Sequence, residues 1–155
     1  MIAKKRQSRE SCLRIAVVTG RFNSFITDRL LDGALEVLHG RGLSEDEIVS
    51  VRVPGAFEIP VVIKRLAASG HYDGVVALGC VIRGATPHFD YVAGECARGI
   101  QAVSLEFSMP VGFGILTVDT LEQAIDRAGA KQGNKGADAA VALLQTLDVV
   151  RALDG

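Results

Sequence analysis

Two segments of the chain are apolar almost without alternation: LRIAVVTG (13–20) and DGVVALGCVI (73–82). Short, β-branched runs of this kind fit strands covered on both faces, as in the middle of a parallel sheet. Between them the pattern changes. In SFITDRLLDGALEVLHGRG (24–42) apolar residues fall at 26, 30, 31, 34, 35 and 38, a helical stripe ending at a glycine that can take a left-handed cap. SEDE (44–47) carries a capping-box-like turn signal, IVSVRV (48–53) alternates like a strand, and Pro54 and Gly55 end it. FEIPVVIKRLAASG (57–70) places Pro60 in a first helical turn, where its missing N–H is tolerated, and closes at Gly70.

The second half continues the alternation. Residues 88–108 read as a long helix and VGFGILTV (111–118) as a fourth strand. DTLEQAIDRAG (119–129) reads as a helix opened by Thr120 and Gln123 at capping-box spacing and stopped at Gly129, after which GNKG turns into a last helix, about 136 to 153. The order β-α-β-α-β-α-β-α-α, with helical crossovers, implies parallel strands and right-handed connections. The expected fold class is therefore α/β, a three-layer α/β/α sandwich around a four-stranded, mainly parallel central sheet. No repeat, linker or low-complexity stretch divides it. Residues 13–155 are read as a single domain, and residues 1–12, with Lys4, Lys5, Arg6 and Arg9, as a flexible solvated segment without assigned function.

Composition narrows the function classes. Nearly half of the 155 residues are hydrophobic, which suits one real core. A net charge of −1 and the lack of a basic face interleaved with aromatics argue against nucleic acid. Cys12, Cys80 and Cys96 form no CxxC and no metal-ligand spacing, so neither zinc nor a disulfide framework is expected, and an odd count fits a reducing compartment. No apolar run is long enough to span a bilayer, and Leu13 to Val18 is interrupted by Arg14. These features point to a soluble cytoplasmic protein with a small-molecule partner.

In such sheets ligands bind beyond the carboxyl ends of the strands, which directs attention to loops 20–23, 53–58, 80–88 and 117–120. Gly84, Ala85 and Thr86 precede a long helix, where free backbone N–H groups and the positive helix end favour a phosphate or carboxylate. They equally fit a plain helix entry, with Thr86 as N-cap and Pro87 at the first helical position. A nucleotide P-loop is ruled out, since GAKQGNKG has Asn134 where that motif needs glycine. His88 alone among three histidines falls in a strand-end loop; His39 and His71 lie near helix ends. An imidazole there suits proton transfer near neutral pH, although a polar residue in a first helical turn needs no such role. Cys80 could act as a thiolate beside His88, but a glycine-flanked cysteine ending an apolar strand is ordinarily buried and inert.

Phe22 and Phe57 could hold a flat heterocycle, with Asn23 and Glu58 offering hydrogen bonds to polyol or amide groups. The plain alternatives are core packing for the rings and a first-turn acid for Glu58. Phe113, near the start of the fourth strand, lies roughly 20 Å from the strand ends at about 3.3 Å per residue. It cannot join its own chain's site. If it serves one, that site is a neighbour's, in a head-to-tail ring. Arg127, Lys131 and Lys135 fit a solvated helical face.

Taken together, GRFN, VPGAFEIP, GCVIRGATPHFDYV, GFGILTVDTLEQAIDRAG and GNKGADAA resemble the lumazine synthases, in order and spacing, over residues 13 to 150. The resemblance implies a flavodoxin-like topology and a transferase of riboflavin biosynthesis. Its reaction condenses 5-amino-6-(D-ribitylamino)uracil with 3,4-dihydroxy-2-butanone 4-phosphate to 6,7-dimethyl-8-ribityllumazine, phosphate and water, with no cofactor or metal. It implies that the pyrimidine lies against Phe22, with Asn23, Ala56, Phe57 and Glu58 and the backbone of Cys80, Val81 and Ile82 around ring and ribityl chain. Ala85, Thr86 and Arg127 would hold phosphate, and His88 would transfer protons. Phe113 and Arg127 would come from the adjacent subunit, while Lys135 and Asp138 would make charge contacts at the shared site. Position 57 is often tryptophan in the family, so Phe57 offers a smaller stacking surface. Pentamers are implied, and in some members twelve of them close into a hollow shell that can enclose riboflavin synthase; RAGAKQGNKG has no insertion against a shell.

Two other readings use the same residues. A non-catalytic flavin- or lumazine-binding scaffold would keep the pocket, but a binder of product needs neither His88, Arg127 nor the GAT turn. A generic FMN module would need a phosphate loop after the first strand, where TGRFNS has one glycine and the bulky Arg21 and Phe22.

Overall fold

The computed structural model describes residues 13–155, so the basic segment expected to be flexible lies outside the described residues. Strands β1 (Ile15–Gly20), β2 (Ile48–Val53), β3 (Gly74–Ile82) and β4 (Val111–Val118) alternate with helices α1 (Ser24–Gly40), α2 (Ile59–Ser69), α3 (His88–Phe107) and α4 (Leu121–Asp126), and α5 (Lys135–Asp154) closes the chain. The four strands are all parallel, in the order β2-β1-β3-β4. β1 and β3, the segments without alternation, are the two central strands. Each must satisfy an apolar environment on both sides, and every residue of β1 is buried.

Helices cover both faces. Ile26 and Leu30 of α1 and Leu143 of α5 pack with Ile15, Val17, Val76 and Leu78 on one side. Ile59 and Ile63 of α2 and Cys96 and Ile100 of α3 pack with Ala16, Val18, Val75 and Ala77 on the other. Odd and even residues of one strand thus feed two separate cores, and the three-layer sandwich follows. The turn glycines act as read: Gly42 and Gly70 take positive φ, 104° and 72°. Among the described residues no helix is long and apolar enough to cross a membrane.

Three local expectations are corrected. The helix expected over 119–129 ends at Asp126, and Ala128–Ala130 (β5) pairs antiparallel with Gly133–Asn134 (β6). Strands so short leave no alternation to read, and the hairpin depends on Gly129 and Gly133 at φ 104° and 75°. Residues 56–58 form a single 3₁₀ turn, and α2 begins at Ile59. Thr86 does not cap α3. The helix starts at His88, Pro87 occupies the N-cap position, and no side chain caps it.

Candidate active site

The site is assembled by loops that are bonded to one another. Beyond β1, Arg21 N–H donates to Val53 O at 2.8 Å and Phe22 N–H to Pro54 O at 2.9 Å, so the β1 loop runs alongside the β2 loop. The two loops lie so close that a Cβ on Gly20 would stand in van der Waals contact with the Gly55 backbone, at 3.4 Å. The chain then swings into α1 through Asn23 in the left-handed conformation, φ 60° and ψ 47°, a conformation asparagine tolerates better than most residues. Its Nδ2 donates to Cys80 O at 3.0 Å, which ties the same loop to the end of β3. Three strand ends are therefore fixed relative to each other by backbone and amide hydrogen bonds.

Above them lies a cavity of about 570 Å³, a size suited to a small heterocyclic substrate. It is lined by Phe22, Ala56, Phe57 and Glu58 from the first two loops, by Cys80, Val81 and Ile82 from β3, and by Thr86 and His88 from the turn into α3. Phe22 is 72% and Phe57 61% exposed, which removes the core-packing reading for both rings. Gly84, read as part of the anion turn, lines the cavity too; Pro54, Gly55, Phe89, Tyr91 and Val92 also line it and were not singled out as site residues from sequence. For Tyr91 and Val92 the signal was available: three and four residues after His88, they share its helical face.

The turn leading into α3 has a distinct electrostatic frame. Arg83 Nε donates to Asp119 Oδ1 at 2.9 Å and Nη1 to Asp90 Oδ1 at 3.4 Å. The hydrogen bond to Asp119, with the nearby Asp90 charge, holds the guanidinium even more firmly in its charged form. Gly84 and Thr86 then border the cavity beside the amino end of the 20-residue α3, where backbone N–H groups favour an anion.

His88 is the only described histidine on the cavity. His39 is bonded through Nδ1 to Leu43 O and lies 3.3 Å from Glu45, while His71 packs against Tyr72. Burial pushes the Cys80 thiol up to about 11, so it stays protonated at neutral pH and lacks the thiolate a nucleophile needs. Among the described residues no group of three or more His, Cys, Asp or Glu is placed to hold a metal ion.

Several expected residues stand off the cavity. The Asn23 amide is turned to Cys80; Ala85 lies in the turn between two lining residues without lining it. Phe113 is opposite Ala77 on the outer strand β4, five residues before Val118 and about 17 Å from it at about 3.3 Å per residue. Arg127 follows α4, its Nη1 donating to Gln123 O at 3.1 Å. Lys135 and Asp138 open α5. The chain's own cavity is thus built without Phe113, Arg127 or Lys135.

Residues 12–151 match the family described as 6,7-dimethyl-8-ribityllumazine synthase. The chain belongs to that family. A curated protein of Desulfovibrio desulfuricans (strain ATCC 27774 / DSM 6949 / MB), named 6,7-dimethyl-8-ribityllumazine synthase, is 58% identical over 141 residues, covering 91% of this chain and 90% of the relative. The cavity at the carboxyl ends of β1, β2 and β3 lies within the matched span.

Proposed function

We propose that this chain is a lumazine synthase that condenses 5-amino-6-(D-ribitylamino)uracil with 3,4-dihydroxy-2-butanone 4-phosphate, without a cofactor, in the groove at the carboxyl ends of β1 to β3. The observation that carries the reading is the union, in one cavity, of exposed aromatic rings, an anion-friendly turn and a histidine. The pyrimidine stacks on Phe22 and Phe57, and Glu58 and the backbone of Val81 and Ile82 receive its polar edge and ribityl chain. The phosphate rests on the turn of Ala85 and Thr86.

The chemistry then needs proton transfers more than a nucleophile from the protein. The 5-amino nitrogen attacks the ketone carbon and water leaves, giving an imine. Loss of a proton from the adjacent carbon drives out phosphate with its C–O electron pair. The resulting enol takes up a proton at carbon to become a ketone. The ribitylamino nitrogen attacks that ketone, and loss of a second water closes the ring. His88 lies where it can accept and return these protons, and the groove supplies orientation, which can replace much of the entropic cost of bringing two substrates together.

The reading includes a homopentamer of cytoplasmic subunits. Phe113 is 43% exposed on β4, one of the two outer strands of the described sheet, and is remote from its own groove. With Arg127 and Lys135 it completes the neighbour's site in a head-to-tail ring. Sedimentation separates isolated rings from sixty-subunit shells, and co-purification of riboflavin synthase tests its enclosure. The decisive assay mixes both substrates with purified protein and follows lumazine fluorescence and released phosphate together. Equal rises in both are expected. Binding of lumazine without either rise would favour the non-catalytic scaffold.

A further inference from the structure

We propose that Arg83 is the positioning residue of the anion turn, fixing where Gly84, Ala85 and Thr86 stand by tying the end of β4 to the first turn of α3. The inference rests on the phosphate-binding role given to that turn. Little else holds the turn. Residues 83–88 are exposed, a Cβ added at Gly84 would meet nothing within 4 Å, and no side chain caps α3.

Arg83 holds both of its ends. Its N–H donates to Val118 O at 2.8 Å, continuing the β3–β4 ladder. Its Nε reaches Asp119 just beyond β4, its Nη1 reaches Asp90 in α3, and its Cζ lies 4.4 Å from the centre of the Phe89 ring, a cavity-lining residue. A planar fork meets two carboxylates and a ring face at once in fixed geometry, whereas a lysine ammonium, a compact charge on a flexible stem, would hold the three less firmly. The alternative, that Arg83 itself grips the phosphate, fits the geometry poorly. Arg83 is not among the cavity-lining residues, and it is shared by two carboxylates that together outweigh its charge.

Asp119→Asn separates the two roles. If Arg83 positions the turn, Asp119→Asn and Arg83→Gln both raise KM for the four-carbon phosphate roughly 2- to 5-fold, leave KM for the pyrimidine unchanged, and do not add in the double variant. Arg83→Lys recovers only part of the loss. If Arg83 is a direct ligand, Asp119→Asn frees it and KM for the phosphate substrate stays or falls, which overturns the proposal. Equal changes in both KM values, or none, also overturn it. Broadening of the ³¹P line of inorganic phosphate reports on the turn without turnover. Loss of that broadening in Arg83→Gln and Asp119→Asn is expected, and no change there refutes the inference even if the wild-type assay fails and takes the functional reading with it.

Discussion

Asn23 Nδ2 donates to the Cys80 carbonyl at 3.0 Å across a gap of 57 residues in sequence, joining the β1 loop to the end of β3 beneath the cavity. That bond orients both the loop bearing Phe22 and the backbone of Cys80. Replacing Asn23 by aspartate keeps the shape, removes the donor and places a carboxylate against a carbonyl oxygen. A loss of about 1–3 kcal/mol is expected from the partly buried pair. Asn23→Gly relieves the left-handed backbone but still forfeits the bond, so it should fall between wild type and Asn23→Asp in denaturant unfolding. Equal stability of all three proteins would show that the bond fixes nothing.

His88→Ala should slow turnover by roughly 10- to 1000-fold without abolishing it, since orientation and anion binding remain. The residue is exposed at the first position of α3, so the thermal midpoint should hardly move. Complete loss of activity in an intact assembly would give His88 a larger role than proton transfer. An unchanged rate would remove it from the mechanism.

How far the sequence reaches is visible in particular elements. β2 and β4 begin and end where alternation and turn residues place them, because an element whose burial is set by one or two flanking layers writes its period into the chain. The β5–β6 hairpin was invisible because five residues carry no period. In the site, the cavity positions of Phe22, Phe57 and His88 were legible because these residues fall in loops beyond the carboxyl ends of the strands. The contacts of Arg83 are not legible in the sequence, since its partners Asp90 and Asp119 are brought together only by the neighbouring positions of β3, β4 and α3. Asn134 was missed in the same way. It accepts from Ala137 N–H to cap α5 and donates to Arg29 O, a contact 105 residues distant.

The α1–α5 contact should be the least tolerant place for an added methyl group. A Cβ on Gly136 would sit 2.0 Å from Leu30 O and 2.6 Å from its carbonyl carbon, so one helix must move. Gly136→Ala is expected to destabilise the fold by about 1–3 kcal/mol or more. Gly84→Ala, with open space around the Cβ, should leave the unfolding midpoint unchanged. If the two variants unfold alike, helix packing at Gly136 is not close.

Alkaline stability should depend on the buried thiols. Burial raises Cys80 from 9.0 to about 11 and Cys96 from 9.0 to about 12. An unfolded chain gives up these protons near pH 9, whereas the folded chain keeps them, so above pH 9 the unfolded state binds fewer protons and stability falls as pH rises. The contribution is complete below pH 9 and is lost progressively toward the folded values, with a limiting slope of about 1.4 kcal/mol per pH unit for each thiol. Lysines and tyrosines titrate in the same range but are common to wild type and variant. The difference in slope therefore isolates the thiol. Cys96→Ala loses some core packing at every pH, yet its unfolding free energy should decline less steeply than wild type between pH 9 and 10.5. Parallel curves would mean that the Cys96 thiol ionises as readily in the folded protein as in the unfolded one, through a route to water that its packing among Ile59, Ile63 and Ile100 does not provide.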